Sequence, residues 1–175
     1  MSRHLVIGGA RSGKSHFAQA LAEAHAGEVH LIVTAEIFDA EMAERVARHR
    51  TERPAHWQVI EAPQSLPEAI TAACGEGRCV LVDCLTLWLS NVLCTQPETL
   101  DTRISDLCHA ISGATGTLVL VSNEVGWSIV PENPLARRFR DEQGRLNQRV
   151  AALVEEVTLV AAGLPLKLKE PKHVE

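Results

Sequence analysis

A three-layer α/β domain on a mostly parallel sheet accounts for three features of this 175-residue chain. Short β-branched or leucine-rich runs alternate with longer segments of helical period. Several of those runs are apolar without interruption, as strands buried on both faces must be. A glycine-rich turn joins the first run directly to a helical segment, the arrangement of a βα unit with right-handed crossovers. Six strands are expected, at 4–8 (HLVIG), 29–34 (VHLIVT), 57–61 (WQVIE), 79–83 (CVLVD), 117–122 (TLVLVS) and 157–162 (VTLVAA). Helices are expected between and after them, near 14–26, 39–51, 65–73, 85–95, 99–112 and 134–155. The reading is of one domain over 1–175, with 166–175 as a frayed tail.

The first strand leads into GGARSGKS, residues 8–15, which fits G-x-x-x-x-G-K-S/T from Gly8 to Ser15. Glycines let consecutive backbone N–H groups converge on phosphate oxygens, and the helix N-terminus adds positive potential. Lys14 would reach the β- and γ-phosphates and the Ser15 hydroxyl would ligate Mg²⁺. The charge inventory singles out this lysine. The chain has thirteen arginines but only four lysines, and Lys14 is the one lysine before position 167. A P-loop NTPase-like fold follows, with nucleoside triphosphate binding as the firmest inference. A glycine-rich βα turn carrying Gly-Lys-Ser by chance is the competing account.

The helical segment 39–51 takes Asp39 as its N-cap and carries acidic residues in its first turns. Met42, Val46 and His49 stand at i, i+4 and i+7, so His49 shares the apolar face. Arg48 and Arg50 flank it and Arg53 follows before Pro54. A buried structural histidine beside a solvated arginine face explains the pattern. So does a neutral imidazole that attacks phosphorus while arginines hold an anionic substrate. Spacing alone leaves both open.

The fourth strand ends at Asp83, which can hold Mg²⁺ directly or through water, or cap the helix LTLWLSNVL. The fifth strand ends in SNEVG, and ligands of parallel sheets bind beyond the carboxyl ends of strands, so Asn123 and Glu124 are candidate substrate contacts. The last helix is dense in arginine and contains Gly144, which costs it about 1 kcal/mol relative to alanine without a local reason.

Bulk properties exclude several functions. A net charge of −5 argues against sequence-independent nucleic-acid binding, and six aromatics without a tyrosine argue against a base-stacking platform. Five cysteines with no C-x-x-C pair point to reduced thiols. No uncharged apolar run approaches the ~20 residues a membrane span needs. A cytoplasmic protein is the expectation. A switch GTPase is excluded in outline, since an Asn-Lys-x-Asp guanine motif has no lysine to use.

GGARSGKS, DAEMAERVARHRTERPAHW, CVLVD and NEVGWSIVPENPLARRFRDEQGRLNQRVA, in that order, resemble the bifunctional adenosylcobinamide kinase/adenosylcobinamide-phosphate guanylyltransferase family of cobalamin biosynthesis. The resemblance implies phosphorylation of adenosylcobinamide by GTP or ATP, then transfer of GMP from GTP to adenosylcobinamide phosphate. It implies that His49 carries the GMP as a phosphoramidate, with Lys14 as the other catalytic residue. Nucleotide contacts are implied at Gly8, Gly9, Ala10, Arg11, Ser12, Gly13, Lys14 and Ser15, and at Val33, Thr34 and Ala35. They are implied also at Arg50, Thr51, Glu52, Arg53, Glu61 and Asp83. Ser15 and Asp83 are the implied Mg²⁺ ligands, although some relatives carry glutamate in place of Asp83. A homotrimer is implied as well. A single-function phosphate-loop kinase, or a regulator that only binds GTP or ATP, are the alternatives.

Overall fold

The computed structural model describes residues 2–36, 54 and 56–171. In chain order these form β1 (Ser2–Gly8), α1 (Lys14–Glu23), β2 (Glu28–Val33), β3 (Gln58–Glu61), α2 (Leu66–Ala73), β4 (Arg78–Asp83), α3 (Leu85–Thr95), α4 (Leu100–Gly113), β5 (Thr117–Asn123), α5 (Pro134–Leu153), β6 (Glu156–Ala161) and β7 (Leu164–Lys169). The helix expected over 39–51, with His49, and the residues Arg50, Thr51, Glu52 and Arg53 lie outside the described residues.

The seven strands make one sheet in the order β3-β2-β4-β5-β1-β6-β7. Every pair is parallel except β6 with β7. Alternation along each strand sends neighbouring residues to opposite faces. Leu5, Ile32, Val80, Val82, Leu118 and Leu120 meet Ile70, Trp88, Leu107, Leu146 and Val150 of α2–α5. Val6, Leu31, Leu81, Val119 and Val121 face the other way, with Ala18 and Ala22 of α1. The result is three layers, and both faces of the central strands are covered, which explains their uninterrupted apolar runs.

Local chemistry sets the helix boundaries. Asn133 caps α5 by accepting from the backbone N–H groups of Leu135 and Ala136 at 2.8 and 3.2 Å, with Pro134 just inside. At the other end the Lys169 ammonium, on β7, donates to the carbonyls of Ala151, Ala152 and Val154. That cation satisfies carbonyls left open by the last turn and complements the helix dipole.

The expected frayed tail needs correcting. Residues 164–169 form an edge strand joined to β6 through Ala162 and Gly163, both at positive φ (53° and 79°). That is the backbone of a tight two-residue hairpin. Lysines and a proline in LPLKLK disguised an alternation in which Leu164, Leu166 and Leu168 all lie exposed. The five cysteines are all free thiols, and burial pushes those of Cys79 and Cys84 up to about 11.

Candidate functional site

The loop between β1 and α1 is built by close backbone approach. A Cβ added at Gly8 would stand 2.5 Å from the Val160 carbonyl and 2.5 Å from the Ser12 hydroxyl, so only glycine fits. Gly13 adopts φ 96° and lies against Gly163, whose Cα would be 3.2 Å from an added Cβ. The Gly163 N–H donates to the Ser12 carbonyl at 2.8 Å, so the β6–β7 turn braces the loop from outside. The Ser12 hydroxyl is buried without a hydrogen-bond partner, on the side of Gly8 that faces the Val160 carbonyl.

Lys14 opens α1 and folds back over the loop, donating to the Gly9 carbonyl at 3.0 Å. It is largely buried, and burial holds its pKa below the usual lysine value despite opposing attraction from the sides of Cys84 and Asp83. A partly dehydrated ammonium at the N-terminus of a helix is suited to a polyanion.

The carboxyl ends of the strands align in one row. Glu61 of β3 pairs with Val33 of β2, Val33 with Asp83 of β4, and Asp83 with Val121 of β5. Asn123, two residues further along β5, pairs with Gly8. Ser15, Gln19, Leu31, Trp57, Leu81, Asp83 and Val121 line a small cleft that opens to solvent. Ser15 and Asp83 therefore line the same cleft. The Asp83 carboxylate makes no hydrogen bond or ion pair among the described residues. Hard oxygen donors in small number suit Mg²⁺, which keeps waters and takes phosphate oxygens for the rest of its shell. No cluster of three or more acidic, histidine or cysteine side chains stands ready for a softer or fully caged metal among the described residues.

Thr34 ties the end of β2 to its neighbours in the fold. It is fully buried, its hydroxyl donates to the Cys84 carbonyl at 2.7 Å and accepts from the Cys84 N–H at 2.9 Å, and its own carbonyl accepts from Asn91 at 2.8 Å. Those bonds bind the end of β2 to the turn that presents Asp83. Val33 and Ala35 flank it, partly exposed at the sheet's carboxyl edge. His49 and Arg50–Arg53 are outside the described residues, so their place in the site rests on sequence alone.

Two features escaped sequence reasoning. Trp57 lines the cleft with its indole N–H buried and unpartnered. A buried polar cluster of Thr86, Ser122, Gln143 and Asn147 lies behind the end of β5. The signal for the cluster was present, since Gln143 and Asn147 stand at i and i+4 among the apolar positions Leu146 and Val150.

Comparison with known proteins meets this geometry. A family model described as cobinamide kinase / cobinamide phosphate guanyltransferase matches residues 4–168. The chain is 46% identical over 168 residues to the bifunctional adenosylcobalamin biosynthesis protein CobP of Pseudomonas aeruginosa, covering 95% of this chain and 97% of that protein. It is 43% identical over 179 residues to the bifunctional adenosylcobalamin biosynthesis protein CobU of Salmonella typhimurium, covering 94% and 98%. Among solved structures, the type III secretion ATPase EscN of enteropathogenic E. coli matches with a TM-score of 0.59 at 12% identity, over 92% of this chain and 43% of that one. The flagellar accessory protein FlaH of Methanocaldococcus jannaschii matches with a TM-score of 0.51 at 11% identity, over 97% and 79%. The two structures share the α/β fold and no more. A family match along nearly the whole chain, together with a built phosphate loop and an acid lining the adjoining cleft, places this protein in the cobinamide kinase/cobinamide phosphate guanyltransferase family.

Proposed function

We propose that the chain performs both reactions of its family with the nucleotide held by the Gly8–Ser15 loop. The observation that carries this reading is the match of the family model from residue 4 to 168. In the first reaction the aminopropanol hydroxyl of adenosylcobinamide attacks the γ-phosphorus of ATP or GTP. The γ-phosphorus–oxygen bond breaks, the diphosphate leaves, and the hydroxyl proton passes to solvent or base. In the second, a neutral His49 ring nitrogen attacks the α-phosphorus of GTP and pyrophosphate departs. The phosphate of adenosylcobinamide phosphate then displaces His49, giving adenosylcobinamide-GDP.

Lys14 and the loop N–H groups take the β- and γ-phosphate charge, which grows on the leaving group in both steps. Arg50 and Arg53 neutralise the α-phosphate and keep His49 unprotonated by repulsion. Mg²⁺, when bound through Ser15 and Asp83, supplies further charge neutralisation at the phosphates. Val33, Ala35 and Glu61, at the ends of β2 and β3, border the nucleotide. The exposed leucines of β7, together with exposed Trp127 and Ile129, supply apolar surface for a homotrimer. The cytoplasm is the proposed compartment.

GTP labelled at the α-phosphate tests the reading. The expected result is acid-labile, base-stable label on the protein, lost in His49→Ala together with guanylyl transfer by about a thousandfold or more. Cobinamide phosphorylation should persist in that variant. Phosphorylation with no protein label would leave a simple kinase, and GTP binding without either activity would leave a nucleotide sensor.

A further inference from the structure

We propose that Asn123 is the residue that contacts the terminal phosphate of the bound triphosphate. Thr86, Ser122, Gln143 and Asn147 act as positioning residues that fix it there. The proposal deepens the reading above and rests on its nucleotide site.

β5 lies between the strand that ends in the phosphate loop and the strand that ends in Asp83. Its last residue, Asn123, pairs with Gly8, and the next N–H, of Glu124, donates to the Gly8 carbonyl at 3.0 Å. The Lys14 ammonium sits over the adjacent Gly9 carbonyl. A phosphate held by Lys14, with a cation that Asp83 would hold, would lie near the tip of β5, the strand between them. Alternation assigns the side chains. Ser122 bonds toward α5, while Val121 lines the cleft with Ser15 and Asp83, so Asn123 falls on the cleft side.

The backbone of Asn123 is held from two helices. Its N–H donates to the Thr86 hydroxyl of α3 at 2.8 Å, and its carbonyl accepts from Asn147 of α5 at 3.1 Å. Asn147 is fixed in turn, since its side-chain oxygen accepts from Ser122 at 2.7 Å and from Gln143 at 3.0 Å. Gln143 is wholly buried, and it also donates to Ser122 at 2.9 Å. So much buried polar structure around one backbone position needs a purpose, because buried polar networks stabilise little beyond apolar packing. The Asn123 carboxamide itself makes no hydrogen bond among the described residues. The backbone is locked and the side chain is uncommitted, which is the form of a preorganised donor for an anion.

The test is the ratio of GTP to GDP affinity, measured in Mg²⁺ by competition with a fluorescent nucleotide. Asn123→Ala should leave GDP binding within twofold, leave the melting temperature unchanged, and lower the GTP preference about tenfold. Thr86→Val, which removes one hydroxyl at constant shape, should lower the same ratio, and Thr86→Ser should restore it to within about threefold. Unchanged preference in Asn123→Ala, or no preference for GTP in the native protein, overturns the assignment. A lower melting temperature in Thr86→Val with an unchanged ratio overturns the positioning role. The binding ratio decides on Asn123 whatever the cobinamide assays give, so failure of either reading shows separately.

Discussion

Lys14 combines two properties that pull against each other, burial and a charge the ligand requires. In the empty loop, dehydration lowers its pKa, with weaker opposition from the Cys84 and Asp83 side. A bound triphosphate stabilises the charged form and raises that pKa again. Below the lowered value the ammonium is already charged and affinity should be flat. As pH rises through it, binding must take up a proton, and affinity should fall by up to about tenfold per pH unit. ATP is the right probe, because its base does not titrate in the alkaline range. Binding measured from pH 7 upward checks the slope, and a flat profile would show that Lys14 stays charged in the empty loop. At this same scale the sequence was most eloquent, because a lone lysine in a glycine turn has few other reasons to exist. The part Thr34 plays in the fold was not legible in the sequence, because only coordinates reveal that its hydroxyl both donates to and accepts from the backbone of Cys84.

Among the elements, α5 holds a mid-helix glycine whose cost the fold does not explain. Gly144 has open space where a Cβ would stand and lies in ordinary helical backbone. Gly144→Ala should therefore stabilise the protein by about 1 kcal/mol, read from urea or thermal unfolding. A loss of stability would mean that a neighbour not evident here crowds the position. Among the described residues, helices and buried strands were legible to within a few residues, because period and apolar runs report burial directly. α3 was expected over 85–95 and occupies Leu85–Thr95. β7 was hidden for the opposite reason. An exposed edge strand buries little, so its composition resembles a solvated tail. The polar cluster on α5 was overshadowed by the arginines around it, and its meaning depends on contacts made across 21–25 positions.

For the molecule as a whole, acid stability rests in part on two carboxylates paired with arginine. Glu155 accepts from Arg3 through both backbone and side chain, joining β1 to the start of β6. That hydrogen bonding holds its pKa below the usual value, and Arg103 does the same for Glu68 between α2 and α4. Both pKa values are depressed in the folded state. Their stabilisation is therefore present above the unfolded carboxyl value of about 4.3 and is lost as pH falls through the lower folded values. Glu155→Gln should cost about 1 kcal/mol at pH 7 and make the acid limb of the stability profile shallower. Equal acid sensitivity in native and variant protein would assign the acid limb to other groups.

The brace between the Gly163 N–H and the Ser12 carbonyl has an implication for biogenesis. A nascent chain that has emerged only as far as α5 still lacks the peptide group that steadies its phosphate cradle. Competence to hold a triphosphate is thus acquired only once the β6–β7 hairpin has emerged and docked against a turn made long before.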